Sequence, residues 1–121
     1  VPPVNKAEII EMYHRADIVV DQFNMPRLGY NALEALSCGR PVLGYLSEDL
    51  QLACYPDLPP MLSADTPEGV AAHLSTLLEP AFRVDRGKEG REWILRHHHW
   101  KPIISALLAE CEGLVANRVA A

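Results

Sequence analysis

Apolar residues recur along this chain with two different periods. Between Lys6 and Arg15 they fall at Ile9, Ile10 and Tyr13, with Ala16 just beyond, the spacing of a helix with one apolar face. Asn5 and Glu8 stand three residues apart, as the two halves of a loosened capping box do, so a helix is predicted near 6–15. The next stretch, "DIVVD" (17–21), is continuous and β-branched rather than alternating, the pattern of a short buried strand. A loop from Gln22 to Leu28 leads into a helix from about Gly29 to Cys38 that is apolar on nearly every side. Gly39 stands where a left-handed residue ends a helix, and Pro41 prevents continuation. "PVLGY" (41–45) reads as the next buried strand. Strand, helix and strand in this span predict a βαβ unit with parallel strands and a right-handed crossover.

Beyond Leu46 the periodicity weakens. Pro56, Pro59 and Pro60 break any long element, and "PML" (60–62) is a candidate third strand. Thr66 and Pro67 open a helix as N-cap and first residue, with a stripe of Val70, Leu74, Leu77 and Leu78. A charged helix is predicted over 83–99, with Gly87 and Gly90 as its weak points. Pro102 starts a last helix whose Ile103, Ile104, Leu107, Leu108, Cys111, Leu114 and Val115 form one apolar stripe. The class is α/β: a partial Rossmann-like fold, with a short parallel sheet flanked by helices. Two or three strands are few for a parallel sheet, and the first helix lacks a strand before it. The chain also begins at Val1 rather than Met. The expectation is a single domain over 1–121 that is a fragment, its remaining strands lying upstream.

Composition narrows the partners. The 121 residues carry 11 basic and 16 acidic side chains, a net charge of −5, which disfavours nucleic acid or an anionic membrane as main partner. A small anionic ligand needs only one local positive spot. Cys38, Cys54 and Cys111 are odd in number and show no CxxC spacing, so reduced thiols in a cytoplasmic setting are expected. No apolar run approaches the roughly 18 residues that span a bilayer, so any membrane association is peripheral.

The candidate chemistry sits in the first βα loop. Ligands of open α/β sheets bind where strands end and helices begin. The amides of Leu28, Gly29, Tyr30 and Asn31 would be the open donors of a helix start, and with the helix dipole behind them they form a diphosphate cradle. Glu34, an acid in an otherwise apolar helix, lies about one turn further in, within reach of a ribose. Its carboxylate would then be satisfied only when ligand is present. A structural glutamate paired with an arginine has the same spacing, and both readings stay open on the residues alone.

"ADIVVDQFNMPRLGYNALEALSCGRPVLGY" (16–45) resembles the signature of GT-B-fold retaining glycosyltransferases, the group called family 4 or group 1. Gly29, Leu33, Glu34, Ala35, Leu36, Cys38, Gly39, Pro41 and Val42 fall on its E-G-F-G-x-x-x-L-E-A-M-A-C-G-x-P-V pattern without a gap. "EMYHRADI" before it and "GREWILRHHHW" after it follow the family's order of parts. The resemblance implies the C-terminal, nucleotide-sugar-binding domain of a two-domain hexosyltransferase. It also implies a nucleoside diphosphate sugar as donor, no metal and no cofactor, and an acceptor domain upstream of Val1. Glu34 would bind the ribose, and the backbone of Leu28 to Asn31 the diphosphate.

Two departures follow. The family's first acid, which contacts the donor sugar, falls on Pro26, which has neither carboxylate nor N–H. Arg27 beside it is a candidate phosphate contact, and Asp21 at the strand end a candidate for the sugar or for capping the helix. The basic residues that hold donor phosphates in the family have no match here, so the isolated chain is expected to be inactive and to bind nucleotide weakly. No catalytic residue is assigned. The rivals are a nucleotide-sugar epimerase of the same fold and a non-catalytic α/β module such as a receiver-like domain.

Other features point to structure. Consecutive histidines on a helix diverge by about 100°, so His97, His98 and His99 cannot converge on one ion and read as a solvated or interface face. Trp93 and Trp100 read as core or interface anchors. Cys38 lies at a helix C-terminus, the wrong end for activating a thiol, and reads as core packing.

Overall fold

In a computed structural model, residues 4–120 are described. Their elements run α1 (Lys6–Arg15), β1 (Val19–Val20), α2 (Tyr30–Ser37), β2 (Val42–Gly44), α3 (Glu48–Leu52), β3 (Leu62–Ser63), α4 (Pro67–Thr76), α5 (Pro80–His97) and α6 (Trp100–Ala120). The fold is α/β, with a short parallel three-stranded sheet in the order β1-β2-β3 flanked by helices.

Local signals set the helix ends. Asn5 accepts from the Glu8 amide and Glu8 returns the bond, completing the capping box of α1. Thr66 caps α4 through the Gly69 amide, with Pro67 in the first turn. Gly39 adopts φ +68° just past α2.

β2 is wholly buried in the middle of the sheet. β1 departs from the expected buried strand. It is an edge, and Val20 is 55% exposed, because among the described residues β1 has a neighbour on one side only. The third strand lies at Leu62–Ser63, slightly later than expected, and α3 had no counterpart in the periodicity.

Val42, Leu43, Leu36, Leu77 and Trp93 are the largest fully buried side chains. Gly87 and Gly90, expected as weak points of a helix, are instead what lets α5 lie against α2. A Cβ on Gly87 would come within 2.1 Å of the Gly39 carbonyl oxygen, and one on Gly90 within 2.5 Å of Leu36 Cδ2. The missing side chains cost helix propensity and permit close packing of α5 on α2.

Three further expectations are corrected. Leu77 and Leu78 fall beyond α4, and Leu78 is exposed while Leu77 is buried. α6 begins at Trp100 rather than Pro102, and its apolar stripe is exposed along its length. Of the two tryptophans expected as core or interface anchors, Trp93 is in the core, while Trp100 is exposed and so is not a core residue.

Candidate functional site

The turn from β1 into α2 is built around Asp21 and Gly29. β1 delivers Asp21, whose Oδ2 accepts the Gly29 amide proton at 3.2 Å. Gly29 is the N-cap of α2, and a Cβ there would lie 2.8 Å from that same oxygen, so any larger residue would have to push the carboxylate aside. The amides of Leu28, Tyr30 and Asn31 have no hydrogen-bond partner among the described residues. Asp21 thus stands as a cap on the helix mouth, and one of the four predicted phosphate donors, Gly29, is already engaged.

The loop itself is stitched to the segment after β2. The Tyr45 amide donates to the Gln22 carbonyl at 3.0 Å, and the Ser47 amide to the Pro26 carbonyl at 3.1 Å. Pro26, where the resemblance led to the expectation of an acid, is half-buried and held through its C=O. Arg27 is exposed and its guanidinium has no partner among the described residues. It borders a cavity of about 610 Å³ that opens at the helix mouth beside Gly29 and Tyr30.

Glu34 faces α1. Its carboxylate contacts Lys6 Nζ and accepts from the Tyr13 hydroxyl at 3.3 Å. This corrects the expectation that ligand alone would satisfy it. The pair is superficial, with the Lys6 side chain 62% exposed and Glu34 33%. Burial, and then the Glu34 charge, push the Tyr13 hydroxyl above its ordinary pKa, so it stays a donor to the carboxylate. Tyr13 also borders a cavity of about 420 Å³ with Val19, Val20 and Asn31, between α1 and the start of α2.

The densest positive charge lies elsewhere. Arg40, Arg83, Lys88 and Arg91 border a cavity of about 300 Å³ at the C-terminal end of α2. Three of them are spent on carbonyls at helix ends: Arg40 on His14 (2.7 Å), Arg83 on Leu77 (2.7 Å) and Leu78 (3.0 Å), and Arg91 on Ser37.

Of the histidines expected on a solvated or interface face, His97 and His98 are half-buried and have partners within the chain. His97 Nε2 lies 2.5 Å from Asp57 Oδ1, and its ring packs 4.8 Å from Trp93. His98 packs against Trp93 and Tyr55 at 5.3 and 5.4 Å and borders the helix-mouth cavity. Burial, reinforced by His97, holds the His98 ring below its ordinary pKa and so neutral. Gln51, 6% exposed, also escaped the sequence reading.

A family model described as glycosyl transferase-like matches residues 1–109. The chain belongs to that glycosyl transferase-like family. No curated protein and no solved structure matches it. Membership supports glycosyl transfer as the function, and the match spans the helix mouth, Glu34 and both flanking cavities, while α6 runs past its end. Among the described residues of this glycosyl transferase-like chain, no helix is long and apolar enough to cross a membrane.

Proposed function

We propose that this chain is the donor-binding part of a retaining, GT-B-fold hexosyltransferase that takes a nucleoside diphosphate sugar. One observation carries the reading. At the N-terminal mouth of α2 the amides of Leu28, Tyr30 and Asn31 have no partner among the described residues, a cavity of about 610 Å³ opens beside Leu28 and Tyr30, and a part-exposed acid lies one turn in. The diphosphate sits on those amides, where the helix dipole stabilises the negative charge that develops as the sugar departs. Glu34 exchanges Lys6 for the two ribose hydroxyls and does no proton transfer. Arg27 swings onto the phosphates as the local cation, so neither metal nor other cofactor is required. The acceptor hydroxyl comes from a separate domain, and the cytoplasm supplies the donor.

Calorimetric titration of the purified protein with UDP, GDP and ADP, with and without Mg²⁺, tests this. One nucleotide binds without Mg²⁺, and Glu34→Ala weakens it by about ten- to a hundredfold, as expected for lost hydrogen bonds to a charged group. Binding that needs Mg²⁺ and survives Glu34→Ala sinks the proposal.

A further inference from the structure

Two polar atoms beside the mouth of α2 have nothing to bond. Gln51, on α3, is 6% exposed, and its Oε1 is buried without a hydrogen-bond partner among the described residues. His98, directly after α5, has a buried Nε2 in the same state. Buried polar groups are nearly always paired, so each such exception calls for an explanation.

Neither atom reaches solvent as it stands, but each belongs to a residue that borders open space, so a turn of the side chain would bring it to a ligand there. Gln51 lines a cavity of about 290 Å³ and His98 the one of about 610 Å³. The two cavities share Arg27, Leu28 and Leu33, and Tyr55 lines the first while its ring packs 5.4 Å from His98. Through those shared residues they adjoin as two lobes beside the start of α2. Among the described residues no carboxylate lines either lobe.

The chemistry of the orphans selects the occupant. A carboxamide carries a donor and two acceptor sites but no charge, and a neutral imidazole carries one donor and one acceptor. A hydroxyl both donates and accepts, so it satisfies Gln51 in either amide orientation and His98 in either tautomer. Leu28, Leu33 and Tyr55 add apolar surface suited to the C–H face of a sugar ring. Position agrees with chemistry. The Pro26 carbonyl holds the Ser47 amide at 3.1 Å, and the Ser47 carbonyl holds the Gln51 amide at 3.1 Å. Gln51 is thereby suspended from the loop position where an acid is absent.

Resting on the donor reading above, we infer that Gln51 and His98 turn to contact hydroxyls of the transferred hexose in this cleft and set which hexose is accepted. The nucleoside diphosphate is held by α2 and Glu34, and the sugar by α3 and the end of α5.

The test compares bare and hexose-bearing nucleotides: UDP with UDP-glucose, GDP with GDP-mannose, and ADP with ADP-glucose, by calorimetry on the purified protein. For the nucleotide that binds, the hexose-bearing form binds about tenfold more tightly. Gln51→Leu and His98→Phe each cut that advantage severalfold and leave the bare diphosphate within about twofold, as loss of one hydrogen bond to the sugar predicts. The melting temperature of Gln51→Leu does not fall, since an unpaired amide has been replaced by a hydrocarbon of similar size. Should either variant fail to fold, Gln51→Asn and His98→Gln carry the same comparison. A hexose advantage that survives both substitutions overturns the inference, and so does equal weakening of bare and hexose-bearing forms. Wild-type binding of bare diphosphate with no hexose advantage also overturns it while leaving the donor reading intact. No binding of any diphosphate removes the donor reading and the inference together.

Discussion

Asp21 Oδ2 accepts the Gly29 amide proton at 3.2 Å, so the helix that would receive a phosphate already has a carboxylate at its mouth. The arrangement stabilises the unliganded protein, because an anion at a helix N-terminus is worth about 0.3–1 kcal/mol. It opposes a second anion for the same reason. Asp21→Asn keeps an acceptor at that place and removes the charge. It should lower the melting temperature slightly and tighten diphosphate binding by about two- to fivefold, read by calorimetry at low salt. Weaker binding of the hexose-bearing nucleotide in this variant would instead place Asp21 on the sugar.

Lys6 and Glu34 offer a second separation. Their contact is exposed, so Lys6→Met should change stability by less than about 1 kcal/mol. It should also release the acid and leave nucleotide affinity equal or higher. Glu34→Gln should lower affinity with little change in stability. If both variants alter melting alike and neither alters nucleotide binding, Glu34 serves only the fold.

Gly87 and Gly90 should not tolerate alanine equally. At Gly87 the added methyl meets backbone, the Gly39 carbonyl oxygen at 2.1 Å. At Gly90 it meets Leu36 Cδ2, the end of a side chain that can turn. Chemical denaturation should show a loss of about 3 kcal/mol or more for Gly87→Ala and about 1 kcal/mol for Gly90→Ala. The reverse order would mean that α5 and α2 do not meet at Gly39.

Two groups make stability fall with acid, in separate windows. His98 is held below its ordinary value of 6.5 by burial and by His97, so the unfolded chain binds its proton more readily than the folded one. Its contribution is complete above pH 6.5 and is lost as the pH falls toward its lower folded value. For Asp57, burial acts to raise the pKa, but hydrogen bonds from Arg96 and His97 outweigh it and hold the carboxyl below 3.8. Its contribution is present above pH 3.8 and disappears as the pH drops through the folded value. Melting temperature against pH should therefore decline twice. His98→Phe should flatten the upper step and Asp57→Asn the lower, and a profile unchanged by both would show that neither group is coupled to folding.

What could be read without coordinates was local. The capping box of Asn5 and Glu8, the Thr66–Pro67 start of α4 and the left-handed Gly39 each depend on residues within a few positions, so type and spacing sufficed. The parallel order of β1 and β2 followed from the short strand–helix–strand span, and the placement of Gly29 at a helix start followed from the same pattern.

Tertiary structure decided whatever depended on a neighbour distant in the chain. Lys6 lies 28 residues from Glu34, and no periodicity predicts that contact. Gly87 and Gly90 look like helix breakers until α2 arrives against them, when their lack of a Cβ becomes the condition for close packing. His97 and His98 look solvated until Tyr55 and Trp93 close over them, and Gln51 looks like an ordinary surface residue until the fold buries its amide without a partner. Propensity acts along the chain and packing acts across it. Helix ends belong to the first; partners, burial and unmet hydrogen bonds belong to the second.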